Sequence, residues 1–65
     1  MSLPNAPIER IIRKAGAERV SESAVEELKT AIKEAASEIS MEADDLADHA
    51  ERSTVTREDI EMATK

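Results

Sequence analysis

An all-α fold is predicted for this chain from three observations. Between Val20 and Ala50 the apolar residues Val25, Leu28, Ile32, Ala35, Ala36, Ile39, Ala43, Leu46, Ala47 and Ala50 step by three and four. That is the period of one stripe on a helix, and the strict alternation of a strand is absent. No Gly or Pro interrupts the stretch, and its other residues are mostly strong helix formers. Shorter apolar patterns flank it, punctuated by Pro7 and Gly16 on one side and Thr56 on the other.

In chain order, residues 1–6 are a loosely specified lead-in. The first helix is expected over about residues 5–15. Pro7 suits its first turn, where a missing N–H costs nothing, and Asn5 or Ala6 is the expected cap. Ile8, Ile11, Ile12 and Ala15 share one face of this helix and Arg10, Arg13 and Lys14 another. Gly16, the only glycine, falls just past the last periodic residue and reads as a left-handed C-cap. A connector follows to Val20. The central helix is expected over about residues 21–50. Ser21 or Ser23 starts it, and Ser23 with Glu26 has capping-box spacing. About 28 residues at 1.5 Å each make a rod about 40 Å long. From Glu51 to Val55 the pattern lapses. Thr56 then caps a last helix over about residues 57–65, with Glu58 and Asp59 at the positive end of its dipole and Ile60 and Ala63 on its apolar side.

One domain of 65 residues with no cysteine and no aromatic side chain cannot build a large core around so long a rod. Ile32, Ile39 and Ala43 near the rod's middle are expected to lack cover within one chain, so a second copy crossing there in antiparallel fashion is required.

The net charge of −6 is unevenly spread. Residues 1–20 balance to +2, through Arg10, Arg13, Lys14 and Arg19 against Glu9 and Glu18, while residues 21–51 balance to −8. Neither a catalytic constellation nor a Gly-rich phosphate loop is present, and a single His cannot hold a metal alone. No enzyme, cofactor or small-molecule substrate is expected. Nor is a membrane segment or signal peptide, which makes a cytoplasmic protein the default.

Leu3-Pro4-Asn5-Ala6-Pro7-Ile8, Arg10-Ile11-Ile12-Arg13 and Ala15-Gly16-Ala17-Glu18-Arg19-Val20-Ser21 resemble the opening of an archaeal histone. His49-Ala50, Arg52, Thr54 and Glu58-Asp59-Ile60 resemble its second half. The resemblance covers nearly the whole chain. It implies the histone fold, an obligate intertwined dimer, and a chromosome-associated protein that wraps or compacts double-stranded DNA with little sequence specificity. Arg19 matches an arginine inserted into the minor groove, a mode known for histones generally. Thr54, from the partner's second connector, matches the residue that steadies it. Arg10, Arg13 and Lys14 are implied at phosphates, with Ser53 and Arg57 beside Thr54 on the same interface. Arg52 and Asp59 match a salt bridge within one chain. Leu46, His49, Asp59 and Met62 match a patch where two dimers join into a tetramer or longer assembly, with His49 facing Asp59. Heterodimers with other histones are a further implied partnership.

The chain departs from that pattern at several places. Glu51 stands where glycine is usual, so a positive φ there would cost about 1 kcal/mol. Ser53 replaces a basic residue and Thr56 occupies a position that is often basic. Asp44, Asp45 and Asp48 flank the dimer–dimer patch. Two explanations for the acids stand side by side. One is a hydrated surface suited to a salty cytoplasm, and the other is repulsion that limits assembly. The second leads to an alternative function: a protein-interaction or capping variant that binds DNA weakly.

Overall fold

The computed structural model describes residues 2–65 and leaves the first residue of the lead-in outside it. Three helices follow in order: α1 at Asn5–Lys14, α2 at Glu22–His49 and α3 at Arg57–Ala63, with no strand among the described residues. The chain divides into two compact units, Met1–Lys33 and Glu34–Lys65, and α2 contributes a half to each.

In the first unit, α1 begins earlier than its cap signals suggest. Pro4 is the N-cap, in extended backbone at φ −68° and ψ 147°, and no side chain caps the helix. Pro7 still falls in the first turn, where its missing donor has no intrahelical partner to lose. The Asn5 amide oxygen is used differently: it accepts a 2.7 Å hydrogen bond from Lys29 Nζ on α2. Ile8 and Val25 are buried, while Ile12, Val20, Leu28 and Ile32 are half-buried. After Lys14 the chain turns at Gly16, whose φ of +119° is a conformation L side chains rarely adopt. Of the two expected caps for α2, Ser21 is the one used. Its Oγ accepts from the Ala24 amide at 3.1 Å, three residues on, where the capping geometry requires it.

In the second unit, α2 ends in a Schellman motif. The Arg52 amide donates to the Ala47 carbonyl and the Glu51 amide to the Asp48 carbonyl, both at 2.9 Å. Glu51 is the residue in the left-handed position, at φ 57°, the only positive φ outside glycine among the described residues. Thr56 caps α3 through a capping box. Its hydroxyl accepts from the Asp59 amide, and the Asp59 carboxylate accepts from the Thr56 amide.

Ala43 corrects an expectation. It is 0% exposed inside its own chain, because a single methyl needs little neighbouring chain to cover it. The four-carbon side chains of Ile32 and Ile39 are only half-buried. No large side chain among the described residues is fully buried, and Ile11, Met41, Val55, Ile60 and Met62 are exposed. Each unit therefore holds only the beginnings of a core. Among the described residues no helix is long and apolar enough to cross a membrane.

Candidate nucleic-acid interface

The basic residues of α1 differ in what they hold. Arg10 and Lys14 are exposed, lie one turn apart on one face, and form no ion pair within 4 Å among the described residues. Arg13 is tied on both edges of its guanidinium. Nη2 and Nε donate to Glu9 Oε1 at 2.8 and 3.3 Å, and Nη1 donates to the Glu18 backbone carbonyl at 2.8 Å. The carbonyl it grips belongs to the residue immediately before Arg19. Arg19 itself is exposed and forms no ion pair among the described residues, and with Ile12, Val20, Ser21 and Ala24 it lines an open depression on the first unit. The start of α2 lies beside it in sequence, with amides that the helix leaves without intrahelical partners.

Lys29 is not the solvated base its sequence position suggests. Its side chain is only 12% exposed, bridging Glu26 Oε1 at 3.2 Å and Asn5. Lys33 remains exposed and unpaired.

The second connector is fixed by a similar device. Arg52 Nη1 donates to the Thr54 carbonyl and to Asp59 Oδ2, both at 2.9 Å, and Nη2 donates to Asp59 Oδ1 at 2.8 Å. The Thr56 amide adds a third donor to the carboxylate, at 2.8 Å on Oδ2. These bonds, the Arg52 guanidinium first and the Thr56 amide second, hold Asp59 well below the usual carboxylate range. The same pairing raises the Arg52 guanidinium further above its ordinary value. With the Thr54 carbonyl held, the side chains of Ser53 and Thr54 stay exposed and enter no hydrogen bond among the described residues. Arg57 is exposed and makes a surface pair with Glu61 at 2.8 Å, an interaction that salt screens readily.

Of the residues matched to the dimer–dimer patch, Met62 and His49 are exposed and Leu46 is half-buried. Asp59 is 5% exposed, and Arg52 and Thr56 take most of its acceptor capacity, leaving one acceptor position on Oδ1. Among the described residues no group of three or more His, Cys, Asp or Glu side chains could hold a metal ion.

Three helices in the order short, long, short, with an arginine-tied connector after each of the first two, define a small helical protein of the histone type. The family of histone-like transcription factors (CBF/NF-Y) and archaeal histones matches residues 1–64, and the chain belongs to it. It is 52% identical over 63 residues to one of the subunits of archaeal histone HAN1 from Thermococcus zilligii, covering 97% of this chain and 94% of that protein. It is 49% identical over 63 residues, with the same coverage, to a Methanocaldococcus jannaschii protein named "Probable archaeal histone 3".

Proposed function

We propose that the chain is an architectural DNA-binding histone that acts as a dimer and compacts duplex DNA largely without sequence specificity. The observation that carries this reading is Arg19: exposed, without an acidic partner, and held on a connector whose backbone is tied down at the preceding residue. Its place in the family and the names of its relatives supply the class of ligand. Arg10 and Lys14 of each protomer are assigned to phosphates, and the exposed Ser53 and Thr54 of the partner's second connector to the same groove edge. Arg57 is placed there once its exposed pair with Glu61 opens.

Dimerisation is supported by the unfinished core. The described chain exposes 5304 Å². A folded monomer of 7.1 kDa exposes about 4,100 Å², so about 1,200 Å² per chain awaits cover. That excess is the size of one side of an obligate interface. Ile32 and Ile39, half-buried in their own chain, are assigned to it, whereas Ala43 is already covered. Leu46, His49 and Met62 are assigned to contact between dimers, where His49 can use the remaining acceptor position of Asp59.

The test is a gel-shift series across salt. Arg19→Ala should weaken duplex binding at least about tenfold, whereas Lys33→Ala should leave it nearly unchanged. Arg10, Lys14 and Arg19, three DNA-assigned bases per chain and six per dimer, correspond to a log–log salt slope of about −5. Equal losses at Arg19 and Lys33 would refute the geometry and leave only diffuse attraction.

The alternative, an assembly-limiting variant with weak DNA binding, is favoured by one feature. Asp44, Asp45, Asp48 and Glu51 are all exposed, and none forms an ion pair among the described residues. A dimer that never tetramerises on DNA at any salt concentration would select it.

A further inference from the structure

We propose that Arg13 is a positioning residue and not a phosphate contact: with Glu9 it forms a fork that holds the first connector and thereby aims Arg19. This inference rests on the DNA-binding reading of Arg19 for its consequence, but not for its geometry.

A guanidinium has five N–H donors arranged along two edges. In Arg13 the Nε/Nη2 edge lies on Glu9 Oε1, one helical turn back, and Nη1 lies on the Glu18 carbonyl in the connector. Glu9 precedes Arg13 by four residues, the better of the two orientations for such a pair on a helix. The carboxylate fixes where the fork sits, and the fork fixes a peptide group adjacent to Arg19. With Gly16 allowing the reversal that brings Glu18 back toward α1, the connector has a defined course although only Ala17 and Val20 in it are even half-buried. These bonds occupy three of the five N–H donors, one on each nitrogen, and fix the plane of the guanidinium.

The second connector has the same construction. Nη1 of Arg52 holds the Thr54 carbonyl and Asp59 Oδ2, and Nη2 holds Asp59 Oδ1 on the adjoining helix. Each connector thus has one arginine gripping one helix carboxylate and one loop carbonyl. The carbonyls belong to Thr54 and to Glu18, and Thr54 and Arg19, the neighbour of Glu18, are assigned to the same groove edge across the dimer.

The sign of one substitution separates the two roles. Removing an acid from a DNA-facing helix ordinarily strengthens binding. If Glu9 holds the fork, Glu9→Ala weakens duplex binding about threefold to tenfold, in the range for loss of a charge-assisted hydrogen bond. Glu9→Gln, which keeps an acceptor oxygen, restores most of it. Arg13→Lys keeps the charge but cannot present two edges, so it should bind about tenfold more weakly with the salt slope unchanged. Circular dichroism melts confirm that each variant folds.

Amide hydrogen exchange on the DNA-free dimer provides the second readout. Exchange at Ala17 to Val20 should quicken severalfold in Glu9→Ala and Arg13→Lys, and not in Arg10→Ala. Tighter DNA binding by Glu9→Ala, wild-type binding by Arg13→Lys, or unchanged connector exchange in both variants would each overturn the proposal. Failure of the wild-type dimer to bind duplex would instead overturn the DNA reading, and the exchange measurement would still decide whether the fork holds the connector.

Discussion

Replacing Glu51 by glycine should stabilise the fold, and the structure sets the size of the gain. Glu51 is the residue after the C-cap in the Schellman motif that ends α2, and its φ of 57° places it in the left-handed region. For an L residue with a Cβ that conformation costs about 1–2 kcal/mol. Glycine adopts it freely but loses more chain entropy on folding, so the net gain is about 1 kcal/mol per chain. A second, smaller contribution has the same sign, because a carboxylate at the negative end of a helix dipole is unfavourable by a few tenths of a kcal/mol. With an unfolding entropy of about 2.1 cal/mol/K per residue over 65 residues, 1 kcal/mol corresponds to a rise in Tm of about 7 °C. The assay is thermal unfolding by far-ultraviolet circular dichroism at fixed chain concentration, since a dimer's Tm depends on concentration. Glu51→Ala is the control: it removes the charge but keeps the Cβ, and should gain only the dipole contribution. Equal gains in Glu51→Ala and Glu51→Gly would show that charge, not backbone strain, sets the cost at this position and would refute the reasoning.

Three other outcomes follow from the same structure. Gly16→Ala should lower stability by about 1 kcal/mol or more through backbone strain alone, because an added Cβ meets nothing within 4 Å; a neutral result in chemical denaturation would contradict it. Asp59 has a folded-state pKa below its unfolded value, so its contribution is complete above about pH 5 and is lost as pH falls through about 3.9 toward the folded value. Asp59→Asn should therefore be less stable than the parent at pH 7, with the gap closing as the pH approaches 2; a gap independent of pH would exclude the linkage. Glu34, Glu38, Asp45 and Asp48 are exposed and unpaired at spacings that put them on one side of α2 around Met41, which is 70% exposed. Glu38→Lys turns a like-charged pair with Glu34 into a favourably ordered one and should add about 0.5 kcal/mol at low salt, an advantage that 1 M NaCl should largely erase.

What can be read from the residues is what each residue states locally. The period from Val25 to Ala50 reports a helix because it reflects a stripe that must be buried somewhere. Thr56 with Asp59 reports the start of α3 because both halves of a capping box are side chains. Gly16 reports a positive φ because no other residue takes it cheaply. The rest is hidden for identifiable reasons. A backbone carbonyl has no sequence identity, so nothing in the residues says that Arg13 grips Glu18 and not a phosphate. Asn5 resembles a cap because its side chain often serves as one, yet its oxygen is taken by Lys29, which is 24 residues away in sequence. Ala43 lies on the stripe and reads as uncovered because periodicity gives the direction of a side chain and not how much neighbouring chain covers it.

The two arginine ties also account for how a chain with so small a core can present ordered connectors. Hydrophobic burial normally orients loops by seating apolar side chains, but among the described residues the buried apolar ones are only Ile8, Val25, Ala43 and Ala47, and two of these are alanines. Burying two methyl groups contributes little, about 0.8 kcal/mol per carbon. The connectors are therefore shaped by directional bonds in each unit: Arg13 to Glu9 and the Glu18 carbonyl, Arg52 to Asp59 and the Thr54 carbonyl. Directional bonds shape a loop without needing a partner chain. Two kinds of loss should then be separable. Disrupting Ile32 or Ile39 should weaken the dimer and make unfolding more dependent on concentration. Disrupting either fork should misplace a connector in a dimer that still assembles, and DNA affinity should fall further than stability does.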